Sequence, residues 1–347
     1  MSPSAWLRLT PILTGFALSC AKPSTVTHES PRLESNRDLA ADLVFTGMCD
    51  ASGGVPLDAR TFVVADDEDN VLRVYDTKAP GAPLWSVDVS SAIGLRGKPG
   101  KQGKPDKRPP ETDIEAATRV GDIALWMTSH GRNSSGKLKP ERLNLFGTAL
   151  PKRGVVLTLS GKPYDHLLDD LLAEPRLARF GLKQAAELAP KEPGGLNLEG
   201  LTARPEGGVW IGFRNPIPEG KALLIPLLNP ERVLVGEEAT FGDPLLLDLG
   251  GLGVRAISSH DGRYLILAGP FDSREGSKLF GWDGRGKPTL IAQQTLNGLN
   301  AEGFFSPAVG RQVLVLSDDG SRLIDGTECK RLRDPAKKRF RARWLSL

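Results

Sequence analysis

The chain has 347 residues, 45 Lys and Arg against 42 Asp and Glu, a formal charge of +3, 39% hydrophobic residues, 39 Gly and 27 Pro. So turn-rich a composition suits one globular domain of many short strands. Past the first residues no stretch approaches the ~18 consecutive apolar residues of a spanning helix, which excludes a multi-span helical membrane protein.

The charge is unevenly placed. Residues 330–347 carry a net +7 and residues 96–108 a net +5, which leaves the rest acidic. Neither basic stretch interleaves base-stacking aromatics, so no nucleic acid partner is expected. They read as a basic tail and a solvated, low-complexity loop.

Residues 1–19 hold a single Arg8 and then an apolar run from Leu9 to Leu18, the pattern of a cleaved secretory signal. Ala17-Leu18-Ser19-Cys20 resembles a bacterial lipobox, with Ala17 where Leu is usual and Cys20 as the lipidation candidate. The expected location is exported: periplasmic, outer-membrane lipoprotein, or secreted. Residues 20–40 are polar and aperiodic and read as a flexible tether to a domain spanning 41–347.

That domain repeats one plan five times. A charged anchor is followed by a short apolar strand, a Gly, Pro or Asp turn, a second apolar strand and a polar end. The anchors are Asp50, Glu115, Glu199, Arg255 and Glu302. Their polar ends are Asp67, Arg132, Arg214, Asp272 and Asp318, always 15 to 17 residues on. Each unit is a β-hairpin that cannot bury its own faces. Such repeats predict an all-β, five- or six-bladed β-propeller with inner strands lining a channel. A β-sandwich gives the returning anchor no reason. Residues 165–189 carry leucines at helical spacing, divided by Pro175, and predict one short helical insertion. The alternation of Phe340, Ala342 and Trp344 with arginines predicts a half-buried outer strand.

Cys49 lies in the first unit and Cys329 after the last, and a ring would bring them together. They are either a disulfide or two separate buried thiols.

In an antiparallel hairpin the first strand's start and the second strand's end share one edge. The anchors and polar ends therefore gather at one channel mouth. Asp50, Glu115, Glu199 and Glu302 are the candidate metal ligands, with Ca²⁺ the suited cation. Arg132, Asn133, Arg214, Asn215, Arg255 and His130 are the candidate ligand-binding residues. Asp66, Asp67, Asp318 and Asp319 lie close by. The repulsion of so many acids asks for arginines or a hard cation. In the alternative reading each acid only accepts backbone N–H bonds and holds neighbouring blades in register. The chain has no Gly-x-Ser-x-Gly elbow, His-Glu-x-x-His pair, phosphate-binding loop or paired Cys-x-x-Cys.

The segments GMCDAS, DDEDNVLRVYD, SHGRNSSGK, NLEGL, IGFRNP, ALLIPLLNP and NAEGF resemble an uncharacterised bacterial propeller family known only as a domain of unknown function. The resemblance runs from Val44 to the C-terminus. At the fold level it is similar to esterase-like, phytase-type propellers, which implies Ca²⁺ and phosphoester chemistry. Two functions follow. One is an exported, monomeric binding module whose mouth holds a small charged ligand, a metal or an envelope partner. The other is a Ca²⁺-dependent phosphoester or ester hydrolase, with Glu115, Glu199 and Glu302 on the ion and Arg132 and Arg214 clamping phosphate.

Overall fold

The computed structural model describes residues 42–100, 107–150, 157–272, 274, 276–292, 296–306 and 312–347. The expected signal, the expected tether and Cys20, the lipidation candidate, lie outside the described residues. The described residues belong to one compact unit.

The first strand, β1 (Leu43–Thr46), belongs to the last blade. Blade 1 is β2 (Ala51–Pro56), β3 (Thr61–Asp66), β4 (Val71–Asp76) and β5 (Trp85–Asp88). Blade 2 is β6 (Ile114–Val120), β7 (Ile123–Thr128), β8 (Leu145–Ala149) and β9 (Leu159–Tyr164). The predicted helical insertion follows as α1 (Leu167–Ala173), a 3-10 turn Pro175–Phe180 that starts at the expected proline, and α2 (Leu182–Ala185). Blade 3 is β10 (Asn197–Ala203), β11 (Val209–Asn215) and β12 (Ala222–Leu227), then α3 (Pro230–Val233) and β13 (Leu245–Leu247). Blade 4 is β14 (Gly253–His260), β15 (Arg263–Gly269), β16 (Lys278–Trp282) and β17 (Thr289–Ala292). Blade 5 holds β18 (Ala301–Phe305) and β19 (Gln312–Ser317); after the small hairpin β20 (Leu323–Ile324) and β21 (Thr327–Glu328) comes β22 (Arg339–Ser346).

Every blade is a four-stranded antiparallel sheet in sequence order, except the last, which runs β18-β19-β22-β1. The C-terminal strand is thus third in its blade rather than outermost, because Leu43–Thr46 pairs along its free edge, Leu43 opposite Ala342. Both ends of the domain share that sheet. Inner strands β2, β6, β10, β14 and β18 neighbour one another in that order, and β18 returns to β2. The protein is a five-bladed propeller.

Local sequence explains the hairpins. Asp58 Oδ1 accepts from the backbone N–H of Arg60 and Thr61 and fixes the β2–β3 turn. Asp261-Gly262, at φ 47° and 71°, closes β14–β15 in the left-handed conformation that such two-residue turns require. Glycine also lets the inner strands meet. A Cβ on Gly303 would stand 1.8 Å from the Ser52 carbonyl oxygen.

The core lies between blades rather than within them. Trp126 and Phe146 pack between blades 1 and 2. Leu167, Leu171 and Phe180 of the insertion join the contact of blades 2 and 3. Trp210, Tyr264 and Trp282 fill the next interface. Phe45, Phe62, Tyr75, Phe305 and Phe340 form an aromatic cluster at the seam of blades 5 and 1. Each fully buried side chain of this size contributes about 1.5–3 kcal/mol. Cys49 and Cys329 are joined as a disulfide across 280 residues of sequence, a second clasp on that seam.

Candidate functional site

One irregularity recurs in all five innermost hairpins. The register between the first and second strands slips at the strand start, between Ala51 and Gly54, Ile114 and Ala116, Leu198 and Gly200, Val254 and Ala256, and Ala301 and Gly303. The residues left over are Glu115, Glu199, Arg255 and Glu302. Four of the five anchors are therefore β-bulge residues, re-aimed by the extra residue in their strand. Blade 1 differs. Its bulge is Ser52-Gly53, and Asp50 stands before the strand in an isolated bridge to Asp318.

Blades 3 to 5 neutralise their anchors with arginine. Arg214 Nη1 lies 2.6 Å from Glu199 Oε1, and its Nε and Nη2 donate to the carbonyls of Pro270 and Asp272 at 3.0 Å each. Asn197 Nδ2 donates to the same Glu199 oxygen at 2.7 Å. Arg255 ion-pairs with Glu302, approaches Glu199 Oε2 at 3.8 Å, and donates to Asn300 Oδ1 and Ser277 Oγ. Glu199 is 3% exposed and Arg214 6%. Burial alone would lower the Arg214 pKa, but the charge of Glu199, with Glu302 and Glu115 behind it, outweighs burial and holds it above the ordinary value.

Blades 1 and 2 leave theirs unanswered. Carboxylate oxygens of Asp50, Asp66 and Asp67 lie within 4.8 Å of one another, and so do those of Asp67, Asp113 and Glu115. Burial first, then Asp66 and Asp318, pushes Asp50 up to about 9. Burial and Asp69, against Arg73, push Asp66 up to about 7. Asp67 is raised well above the carboxylate range by burial and by Glu115, Asp66 and Asp50. Glu115 is raised likewise by burial, Glu199 and Asp113. Asp113 is raised to about 6 by burial, opposed by Arg142, whose Nη1 stands 2.8 Å from its Oδ2. Asp50 Oδ2 and Asp67 Oδ1 are buried and accept no hydrogen bond. Of the other nearby cations, Lys330 pairs with Glu68 at 3.0 Å and Arg73 with Asp69 at 2.7 Å, while Lys338 lowers the Asp66 pKa through its charge.

The proposed metal ligands therefore separate. Asp50 and Glu115 join the acidic sector, while Glu199 and Glu302 are held by arginines. Among the proposed ligand-binding residues, Arg214, Asn215 and Arg255 lie at the mouth. Asn215 Nδ2 is tied to the carbonyls of Pro190 and Glu192. Arg132 does not meet Glu115, contrary to the symmetry of the repeats. It pairs with Glu187 and donates to the Ala186 and Gly136 carbonyls, because the helical insertion offers closer oxygens. Asn133 Oδ1 accepts from Ser135 and Lys137 within its own turn. His130 is 1% exposed, with Nδ1 2.7 Å from the Thr128 carbonyl and Nε2 unpartnered; burial lowers its pKa to about 4.

Repeat reading missed Asp113. A signal was present: Asp113-Ile-Glu115, Asn197-Leu-Glu199 and Asn300-Ala-Glu302 share one Asx-x-Glu spacing. Asp113 sits at φ 59°, a left-handed conformation that Asp and Asn tolerate better than most residues.

Strand order and bulged anchors define a five-bladed β-propeller with charged residues at the starts of its inner strands. Residues 149–299 match a protein family of unknown function (DUF3616), so the chain resembles an uncharacterised β-propeller family. No curated protein matches the chain. Three solved structures overlay on it with low identity. Glutaminyl cyclase of Myxococcus xanthus is 11% identical, with 89% of this chain and 96% of that one covered and a TM-score of 0.44. The PQQ-bound aldose sugar dehydrogenase of Streptomyces coelicolor is 11% identical, with 88% and 97% covered and a TM-score of 0.41. An exo-beta-1,3-galactanase of Phanerochaete chrysosporium is 9% identical, with 88% and 64% covered and a TM-score of 0.46. Likenesses at this level say nothing of activity.

Proposed function

We propose that this propeller is a binding module whose channel mouth takes a hard divalent cation, with Ca²⁺ the best fit. The observation that carries the reading is the convergence of Asp50, Asp66, Asp67, Asp113 and Glu115 on blades 1 and 2, with buried carboxylate oxygens that accept no hydrogen bond. Buried carboxylates without partners are costly unless a proton or a cation answers them. The donor set is all oxygen, which suits Ca²⁺ or Mg²⁺ over zinc or copper.

Phosphoester hydrolysis would ask an arginine to clamp the substrate beside the ion. Arg132, Arg214 and Arg255 are each engaged by protein oxygens, so binding is favoured over hydrolysis. The seam disulfide suits an oxidising compartment, which supports export.

Thermal unfolding of EDTA-treated protein tests the reading. Added Ca²⁺ should stabilise it by about 2.7 kcal/mol at a hundredfold excess over Kd. Asp67→Asn should remove the shift. An unchanged melting temperature with Ca²⁺, Mg²⁺ and Mn²⁺ alike would overturn it.

A further inference from the structure

We propose that the acidic sector binds two divalent cations that share the Asp67 carboxylate, one held with Asp50 and Asp66, the other with Asp113 and Glu115. This rests on the cation reading above and adds its stoichiometry and the role of each ion.

Geometry comes first. Two sets of three carboxylates form, each compact enough for one ion, and Asp67 is the residue common to both. A carboxylate has two oxygens and about four lone-pair directions, so it can serve two ions at once. The first set comes wholly from blade 1. The second joins Asp67 of blade 1 to Asp113 and Glu115 of blade 2.

Charge also favours more than one cation. Of the five acids, Asp113 already has Arg142 at 2.8 Å. Among the described residues, no ion pair holds Asp50, Asp66, Asp67 or Glu115. These carboxylates, with Asp318 bridged to Asp50 beside them, carry more negative charge than one divalent ion offsets once they ionise.

Orphan atoms mark where ligands are wanted. Asp50 is 4% exposed and its Oδ2 has no donor, in a carboxylate that offers an oxygen within 4.8 Å of those of Asp66 and Asp67. Asp67 Oδ1, in the shared position, is also without one. Their neighbours are already oriented. Asp66 Oδ1 accepts from the Glu68 N–H at 2.9 Å and Oδ2 from the Cys49 N–H at 3.4 Å.

The placement also gives the ions a structural task. Arg214 and Arg255 link blades 3, 4 and 5 through Glu199 and Glu302. Blade 1 carries Ser52-Gly53 at its bulge and sends no charged side chain from there toward Glu115. The ion between Asp67, Asp113 and Glu115 takes, between blades 1 and 2, the place the arginines take elsewhere. Its partner sits next to Cys49, at the closing seam.

Equilibrium dialysis and native mass spectrometry of the full-length, EDTA-treated chain against Ca²⁺ test this. Two Ca²⁺ per chain are expected. Asp66→Asn and Glu115→Gln should each retain one, and Asp67→Asn should weaken both sites at least tenfold. All three variants remove repulsion, so their circular dichroism in EDTA should match the parent and separate lost binding from lost folding. One Ca²⁺ per parent chain would overturn the two-ion arrangement while leaving the cation reading standing. None would overturn both. Asp67→Asn losing only one of two would overturn the sharing.

Discussion

Arg255 occupies in blade 4 the bulge position that Glu302 occupies in blade 5, and the two side chains form an ion pair. A change of sign at one repeat thus turns mutual repulsion into a link between blades. Arg214 extends the link, so that Arg214, Glu199, Arg255 and Glu302 run as one alternating chain through three blades.

Such a chain is scaffolding, and its removal should be expensive. Arg214→Ala leaves Glu199 buried with half of its compensation gone, and should cost roughly 3–5 kcal/mol in urea unfolding. Replacing both partners, Glu199→Leu with Arg214→Met, should recover most of that loss, since no charge is left stranded. A single-variant loss below about 1 kcal/mol would mean the pair behaves as a solvated surface bridge.

How far the sequence reaches can be judged at these residues. The recurring anchor revealed the ring because a blade's inner hairpin repeats its own geometry. Glu199 beside Arg214 was legible for the same reason, as both belong to one hairpin. Arg132 was not. Its partners Ala186, Glu187 and Gly136 include an insertion that only blade 2 carries before the next repeat begins. Asp50 was aligned with the other anchors by offset, yet the bulge of its blade falls on Ser52-Gly53. Counting along a chain cannot see which residue a strand leaves unpaired. Asp66 and Asp67 were seen as close by, while their meeting with Asp113 depends on how blade 1 stands against blade 2.

The seam offers a second test. The Cys49–Cys329 bridge closes a far longer loop than the 100-residue case, for which the chain-entropy account gives about 4.7 kcal/mol. Strand pairing of β1 on β22 holds the same seam without it. Cys49→Ser with Cys329→Ser should therefore leave a folded propeller that unfolds about 2–5 kcal/mol more readily. Equal urea midpoints for the oxidised parent and the double variant would show that the strand clasp alone closes the ring.

His130 should make stability fall in mild acid. Its pKa drops from 6.5 in the unfolded chain to about 4 in the fold, chiefly because burial disfavours the charged ring. The folded state therefore binds fewer protons between those values. The neutral ring's contribution is fully present above pH 6.5 and is lost as pH falls toward 4. The shift is equivalent to about 3 kcal/mol. His130→Gln should flatten the pH dependence of unfolding in that window relative to the parent. Parallel curves for the two proteins would contradict a buried, neutral His130.

The acidic sector should give the opposite slope when no divalent cation is present. Asp66 at about 7 and Asp50 at about 9 stand above the ordinary value of 3.8, so the folded state holds protons that the unfolded chain has released. Stability from these groups is present below pH 4 and is lost as pH rises through 7 and then 9. In EDTA the parent should accordingly become easier to unfold across that range. Asp50→Asn removes one of these groups and should make the decline shallower across the whole range from about pH 4 to 9, leaving the share of Asp66 and its other neighbours. Added Ca²⁺ should abolish the decline in the parent, since the ion replaces the lost protons as counter-charge. Urea midpoints at pH 5, 7 and 9 measure all three effects. A parent that is equally stable at each pH in EDTA would show that these carboxylates ionise in the fold as freely as in the open chain, and the acidic sector would then need no ion.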